Sequence, residues 1–262
     1  MAVEPELRGK YAALAADARV DLEAAQPEEI LAWALGTFED RMCLTSSMES
    51  AVLIDMAARI RPGTDVVFLD TGYHFAETVA TLDRVRERYP VNVRVIEPRQ
   101  SVAEQDVLFG ARLHDRDPDA CCTLRKVEPL RRALQPYVAW ASGIRRDETL
   151  SRRTIGVVDW DDNRGMVKIN PLAAWTQEQV DRYVAEHDVI THPLLAQGYP
   201  SIGCAPCTRK VRPGESPRAG RWAGSGKDEC GLHLDEPSTG PGVGSTSLNL
   251  TGGSFISLPK DQ

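Results

Sequence analysis

A run of four apolar residues, VVFL at 66–69, is the feature that most constrains the fold of this chain. A strand with apolar side chains on both faces must be covered by helices on both sides, which is typical of a parallel sheet. The run ends in the turn sequence DTG, and a helical pattern over 75–89 and a strand pattern over 91–96 follow it. This order predicts a doubly wound, mostly parallel α/β sheet.

The remaining patterns place further elements around this sheet. Apolar residues three and four apart predict helices at 7–19, 27–35, 51–60, 107–113, 123–134 and 176–187. Short apolar runs predict strands at 41–44, 138–142, 155–158 and 166–169, the last two forming a hairpin. Regular patterns fade after residue 198, so we expect one nucleotide-binding domain over 1–211 and a flexible, irregular tail over 212–262.

Composition excludes several classes of protein. Hydrophobic residues make up 42% and charged residues 26% of the 262, as in soluble globular proteins. The net charge of −7 argues against a nucleic-acid-binding protein, so a local basic cluster must hold any anionic ligand. The first eight residues lack the apolar region of a signal peptide, and no stretch is apolar enough for a bilayer. We therefore expect a cytoplasmic protein without membrane contact.

Four of the six cysteines form a pattern typical of a metal site. Structural disulfides are rare in the cytoplasm, which favours metal binding or catalysis. Cys121 and Cys122 are adjacent, and Cys204 and Cys207 form a C-x-x-C pair. Adjacent cysteines fit poorly into a zinc knuckle but can occupy two corners of a larger cluster, which favours [4Fe–4S] over zinc. The alternative is a pair of buried thiols together with a dithiol redox pair.

The sequence TSSMES at 45–50 follows a predicted strand and precedes a helix. Hydroxyls and free backbone N–H groups at such a helix start can bind an anion. The alternative is an ordinary helix cap, since Ser and Thr are favoured there. The segment lacks the glycines and the lysine of a phosphate-binding P-loop.

Basic residues beside the cysteines and at strand ends are further candidates for anion binding, although most of the 31 basic residues must be solvated surface. The candidates are Arg125, Lys126, Arg145, Arg146, Arg152, Arg153, Arg218 and Arg221. In the tail, ECGLH at 229–233 places His233 three residues after Cys230, where it could favour the thiolate. A lone tail cysteine without such a motif would be incidental.

Taken together, these motifs resemble the assimilatory adenosine 5′-phosphosulfate reductases, within the phosphoadenylyl-sulfate reductase family. The cysteine pair, the C-x-x-C pair and the ECGLH motif in this order are highly specific for the family. The Ser and Arg motifs are weak evidence alone. The matching segments are TSSMES at 45, LDTGYHF at 69, CCTLRK at 121, SGIRRDET at 142, INPLAAWT at 169, IGCAPCTR at 202 and ECGLH at 229.

The resemblance implies an adenine nucleotide α-hydrolase-like fold. The implied reaction is thioredoxin-dependent cleavage of adenosine 5′-phosphosulfate to sulfite and AMP through a cysteine S-sulfonate, in sulfate assimilation and cysteine biosynthesis. By position, Cys230 matches the nucleophile, and Lys126 matches the residue between cluster and substrate. Cys121, Cys122, Cys204 and Cys207 match the ligands of a [4Fe–4S] cluster. The side chains at the positions of the family's phosphosulfate-binding residues are Arg125, Arg218, Arg221 and His233. The residues that fall in the family's nucleotide-binding segments are Ser46, Ser47, Leu69, Asp70, Gly72 and Arg145.

Three other functions compete with this interpretation. The same reaction on the 3′-phosphorylated substrate is the nearest, and the cluster cysteines favour the unphosphorylated one by family inference. A non-catalytic iron–sulfur protein would not need the ECGLH tail. An ATP-pyrophosphatase-type enzyme would carry an SGGxDS loop, which TSSMES does not match. Cys43 is left without a role, and its predicted strand suggests a small apolar core residue.

Overall fold

A computed structural model describes residues 5–227 and 229–232 of the chain. The helices are α1 (Pro5–Asp21), α2 (Pro27–Phe38), α3 (Val52–Ile60), α4 (Ala76–Arg88), α5 (Val102–Phe109), α6 (Leu113–Arg116), α7 (Pro118–Cys122), α8 (Glu128–Ala133) and α9 (Gln177–His187). The strands are β1 (Met42–Thr45), β2 (Asp65–Leu69), β3 (Asn92–Ile96), β4 (Ala139–Ala141), β5 (Val158–Asp161) and β6 (Met166–Ile169).

The strands form one sheet in the order β3-β2-β1-β4-β6-β5. All neighbours are parallel except β5, which is antiparallel to β6. The chain winds outward from β1 to β3 in one direction and then returns to add β4 and β6 on the other side of β1. The predicted doubly wound, mostly parallel sheet is confirmed, and its winding direction reverses between β1 and β4.

Both faces of the sheet are buried, as the apolar run predicted. On one face Leu44 and Phe68 join the large core that contains residues of α1, α2, α3 and α9. On the other face Cys43, Val67 and Trp140 pack with residues of α8 in a second apolar cluster. Neighbouring residues of one strand thus point to opposite apolar layers.

Two predicted elements are wrong in their bounds. The helix expected at 107–113 is α5, which ends at Gly110, followed by α6. Its start is a capping box, in which Ser101 accepts from the N–H of Glu104 and the Glu104 side chain returns the contact. The hairpin exists, but its first strand is β5 rather than 155–158. Among the described helices none combines the length and apolar character that a membrane span requires.

The described part of the tail is irregular, as expected, but it packs against the rest of the chain. Arg209 N–H donates to the Gly220 carbonyl, and Trp222 N–H donates to the Cys207 carbonyl. Trp222 is buried. These contacts cross the boundary predicted at residue 211, and the division into domain and tail stays a prediction.

Phe38 joins the first two helices and provides a test of the core. Its ring lies 5.9 Å from the ring of Tyr11 and 5.7 Å from that of Trp33, and it is buried. We expect Phe38→Ala to lower the free energy of unfolding by about 3–5 kcal/mol, since a large cavity remains. Leu108→Ala is the matched control on an exposed helix site, with an expected change below about 0.5 kcal/mol. Urea unfolding measures both, and equal losses would contradict the assignment of this core.

Candidate active site

A cavity of about 250 Å³ opens where the winding of the sheet reverses. Thr45 at the end of β1, Leu69 at the end of β2 and Ser142 just after β4 line it. In open α/β sheets, ligands bind outside the carboxyl ends of the strands at this point, because loops on either side diverge there. The position alone therefore marks a binding site.

The loop between β1 and α3 brings hydroxyls to the cavity. Ser46 and Ser47 both line it. The loop is held in place because the Ser46 N–H donates to the Val67 carbonyl and the Ser46 Oγ accepts from the Met48 N–H. Met48 has a φ of 61°, an uncommon left-handed conformation for this residue. Ser50 differs, since its Oγ accepts from the first N–H of α3, as an ordinary cap does.

The loop after β2 places only some of its predicted residues at the cavity. Leu69 lines it, and the imidazole Nε2 of His74 lies 2.9 Å from the Leu69 carbonyl oxygen. Asp70 and Gly72 do not line it, because the Asp70 carboxylate accepts from the Gly72 N–H and closes a tight turn. Gly72 has a φ of 70°, and a Cβ there would lie 3.0 Å from the Arg125 guanidinium.

Arg125 supports this loop from behind instead of facing the cavity. Its buried guanidinium donates to the Thr71 carbonyl and, at 3.1 Å, to the Gln105 Oε1. It also lies 5.3 Å from the centre of the Tyr73 ring, within cation–π range. These partners occupy the donors that we expected to hold phosphosulfate, so the structure gives Arg125 the surroundings of a loop-positioning residue.

All four predicted metal ligands lie around one small enclosed cavity. Cys121 and Cys122 end α7, which Asp117 caps by accepting from the Ala120 N–H. A π-helical turn over Thr123–Val127 then leads into α8, a widened geometry that is frequent at functional sites. The C-x-x-C pair approaches from the other side, with Cys204 Sγ 3.3 Å from the hydroxyl of Thr71.

These four cysteines are thiols without disulfide partners. Burial, followed by the neighbouring thiols, raises the pKa of Cys121 to about 12 and that of Cys207 to about 11. Within residues 5–227 and 229–232, no three His, Cys, Asp or Glu side chains are grouped to hold a single metal ion. One zinc ion would need sulfurs about 2.3 Å from a common centre.

Lys126 lies between the cysteines and the larger cavity, and it lines both. Burial alone would lower the pKa of its ammonium group, but the sulfurs of Cys204, Cys230 and Cys122 raise it above the usual lysine value. Lys126 is therefore a permanent cation beside the thiols. Its ammonium also lies 5.9 Å from the centre of the Trp222 ring.

The larger cavity is lined by three predicted arginines, Arg145, Arg218 and Arg221. Arg218 and Arg221 share the hydroxyl of Ser201, at 3.4 and 3.2 Å. Gly203 leaves room for Arg221, since a Cβ there would approach its guanidinium to 2.3 Å. The Arg145 guanidinium instead donates hydrogen bonds to the side chains of Asp147 and Gln177.

Cys230 reaches the cavity from the tail and is half-buried there. His233, the other member of its motif, lies outside the described residues. Cys43 is fully buried in the sheet, where burial raises the pKa of its thiol, as suits a core residue. The six cysteines thus fall into four around one small cavity, one at the larger cavity and one in the core.

Sequence reasoning did not single out the acidic residues at the cavity. Glu49, Glu148 and Glu229 line it among the cations. Burial raises the pKa of Glu49, whose carboxylate accepts from the Ile202 N–H at 2.7 Å. Arg152 was only one of several basic candidates, yet it lines the cavity and pairs with Glu148 and Glu229. The spacing of four residues between Glu148 and Arg152 was the available signal.

The fold and this cationic cavity define an α/β protein with a candidate site for an anionic ligand at the reversal of its sheet. The family model described as phosphoadenosine phosphosulfate reductase domain matches residues 41–210. The chain belongs to this family.

Curated relatives include reductases of both substrate types. The adenosine 5′-phosphosulfate reductase of Streptomyces coelicolor is 60% identical over 221 residues, which cover 84% of this chain and 94% of that one. The enzyme of the same name from Mycolicibacterium smegmatis is 51% identical with the same shares covered. The phosphoadenosine 5′-phosphosulfate reductase of Gloeobacter violaceus is 51% identical, covering 80% of this chain and 90% of that one.

Two solved structures share the fold. The phosphoadenylyl-sulfate reductase of Candida auris, solved as a phosphate complex, has a TM-score of 0.65 and 28% identity, covering 80% of this chain and 99% of that one. The FMN adenylyltransferase of Candida glabrata has a TM-score of 0.51 and 11% identity, with shares of 80% and 79%. The second likeness concerns the fold alone. The first confirms the predicted adenine nucleotide α-hydrolase-like fold.

Arg221 tests the cavity as an anion site. We expect Arg221→Ala to weaken binding of AMP by about 10-fold to 100-fold, since a charge-assisted contact is worth about 1.5–3 kcal/mol. Arg209→Ala is the control, because Arg209 pairs with Glu215 and does not line the cavity. Calorimetric titration measures both. Equal AMP affinity in the two variants would show that Arg221 does not contribute to anion binding.

Proposed function

We propose that this chain reduces adenosine 5′-phosphosulfate to sulfite and AMP, with thioredoxin or a similar dithiol protein as reductant. The observation that carries the proposal is the convergence of the tail thiol of Cys230 with Lys126 and a group of arginines on a single cavity. The cavity lies where an α/β sheet of this type binds nucleotides. A phosphosulfate group carries anionic oxygens that such cations neutralise.

Binding comes first. Ser46, Ser47 and Leu69 line the part of the cavity at the ends of β1 and β2, and we assign them to the nucleotide. Arg145 is also assigned to the nucleotide, and Arg218, Arg221 and His233 are assigned to the phosphosulfate. The cations would neutralise part of the negative charge on the oxygens around the sulfur atom, because that charge otherwise repels a thiolate. Arg125, Asp70 and Gly72 shape the loop between these two parts.

In the first chemical step the Cys230 thiolate attacks the sulfur atom of the substrate. A sulfur–sulfur bond forms while the bond from sulfur to the phosphate oxygen breaks, and the electron pair of that bond leaves with AMP. The products are AMP and an S-sulfonate on Cys230. Lys126 would stabilise the charge that develops on the oxygens during the attack.

In the second step a thiolate of the dithiol protein attacks the Cys230 sulfur. Sulfite leaves with the electron pair of the sulfur–sulfur bond, and a mixed disulfide remains. The second thiol of the partner then displaces Cys230 and regenerates its thiol. The dithiol is oxidised to a disulfide and supplies both electrons that reduce the sulfate sulfur.

We further propose that Cys121, Cys122, Cys204 and Cys207 hold a [4Fe–4S] cluster. Three buried thiols and the half-buried thiol of Cys207 around one small cavity are the donor set that such a cluster uses. Bound there, the cluster would supply fixed charge next to Lys126 rather than the electrons of the reaction. Free thiols throughout also suit a reducing cytoplasm, where we place the protein.

The cluster assignment predicts a coloured protein. Anaerobically purified chain should be brown and contain about four iron and four sulfide ions per molecule. Replacing Cys121, Cys122, Cys204 or Cys207 by Ser should bleach it, because each substitution removes a thiolate ligand. Cys43→Ser is the matched control and should keep the colour. A colourless, active protein with stoichiometric zinc would contradict the assignment.

The nucleophile assignment predicts a single turnover without reductant. Incubation with adenosine 5′-phosphosulfate alone should release AMP once per site and then stall, since the covalent intermediate accumulates. The protein should gain the mass of one SO₃ group on the Cys230 peptide, and thioredoxin should release it as sulfite. Cys230→Ser should keep the brown colour yet form no adduct. An adduct on Cys43, or continued sulfite release by Cys230→Ser, would refute this mechanism.

The 3′-phosphorylated substrate is the second candidate, because a relative named for it is as similar as several named for the unphosphorylated one. The ratio of kcat/KM for the two nucleotides decides between them. A higher value for adenosine 5′-phosphosulfate supports the first proposal.

A further inference from the structure

We propose that Glu229 is a positioning residue that docks the Cys230 segment at the cavity through an ion pair with Arg152. The inference rests on the proposed function in one respect, that Cys230 is the nucleophile. It adds how an irregular tail presents that thiol in a defined place.

The pair has the geometry of a specific clamp. Arg152 Nε lies 2.6 Å from one Glu229 oxygen, and Arg152 Nη2 lies 2.8 Å from the other. The Nη2 contact is a charge-assisted hydrogen bond, and the Nε contact adds a close ion pair to the other oxygen, so one guanidinium holds both carboxylate oxygens. Arg152 is 8% and Glu229 4% exposed, so water does not compete for either partner. An unpaired carboxylate at this depth would be strongly disfavoured.

Arg152 is held in place before the tail arrives. It ends a single turn, Leu150–Arg152, and also bonds to the Glu148 carboxylate. Glu148 in turn accepts from the backbone N–H of Arg145. The docking arginine is therefore held in the wall of the cavity by contacts that do not depend on Glu229.

Further contacts hold the segment on both sides of the Cys230 thiol. Thr149 donates to Glu229 at 3.4 Å, and an Arg218 nitrogen lies 3.7 Å from it. Beyond Cys230, Leu232 packs against the apolar cluster that contains Cys43, Val67 and Trp140. Adjacent Cα atoms are about 3.8 Å apart, so fixing Glu229 limits where the Cys230 sulfur can lie.

The two steps of the reaction make opposite demands on this pair. Attack on a bound nucleotide needs Cys230 held at the cavity, whereas a protein dithiol must reach the same sulfur afterwards. The ion pair between Arg152 and Glu229 suits both demands, because water and substrate anions can replace the contacts of both side chains when the segment leaves the cavity. A fully apolar anchor has no such replacement.

Glu229→Gln is the direct test. Glutamine keeps the size but loses the charge and one acceptor, and Arg152 keeps Glu148 as a partner, so the fold should survive. In nucleotide-free enzyme, alkylation of Cys230 by iodoacetamide should be about 5-fold faster, compared at the high-pH limit where the thiol is fully ionised. Single-turnover AMP release should be about 10-fold slower, while the affinity for AMP and the release of sulfite by thioredoxin change less than about twofold.

Two further variants sharpen the result. Glu229→Asp keeps the charge on a shorter side chain and should fall between wild type and Glu229→Gln in both assays. Glu215→Gln breaks another ion pair of the same tail, with Arg209, away from the cavity, and should match wild type. Thermal unfolding checks that all variants are folded.

The proposal is overturned if either the alkylation rate or the AMP release rate of Glu229→Gln equals that of wild type. It is also overturned if AMP affinity falls in parallel with AMP release, since Glu229 would then support binding rather than the position of the thiol. A wild-type enzyme that releases no AMP refutes the proposed function instead. The alkylation comparison still tests the docking contact in that case.

Discussion

Burial of the sheet on both faces is the constraint on which the rest of this structure depends. Leu44 and Cys43 are neighbours in β1, yet they belong to apolar layers on opposite sides. Polar groups are therefore concentrated at the strand ends, because a charged group within either layer loses its hydration. Lys168 in β6 is buried, and its ammonium lies 5.4 Å from the centre of the Trp140 ring, which compensates part of that loss. The reversal of winding between β1 and β4 separates the loops there, and the cavity forms in the resulting gap.

Electrostatics at this gap are opposite in sign to those of the whole chain. The protein carries a net charge of −7, but five cations line the cavity, namely Lys126, Arg145, Arg152, Arg218 and Arg221. Two carboxylates, Glu148 and Glu229, pair with Arg152 and offset part of this charge. A cavity with a surplus of oriented donors is prepared for an anion, since the cost of arranging them is met during folding.

Local helix geometry decides how the cysteines are used. The π-helical turn after Cys121 and Cys122 widens the helix, and Arg125 and Lys126 both belong to it. Arg125 points to the loop after β2, whereas Lys126 lies between the thiols and the cavity. One short segment thus supplies two thiols, a loop support and a cation.

How far the sequence predicts this protein depends on the range of the interaction. Local patterns were sufficient for the sheet, for most helices and for the choice of the four cysteines, because apolar periodicity and cysteine spacing are properties of short segments. The helix at α5 was misplaced because the apolar residues Val107 and Leu108, which are exposed, outweighed the capping box at Ser101. Arg125 was assigned to substrate because nothing local shows that Thr71 and Gln105 occupy its donors.

The sequence by itself determined the α/β class, the reversal of the sheet and the types of residue available for anion and metal chemistry. Only the tertiary structure decided which of them meet. The pairing of Arg152 with Glu229, 77 residues apart, and the position of Lys126 between two cavities follow from how loops from different strands converge. Such contacts leave no periodic trace in the chain, since their geometry is set by packing of the sheet and not by neighbouring residues.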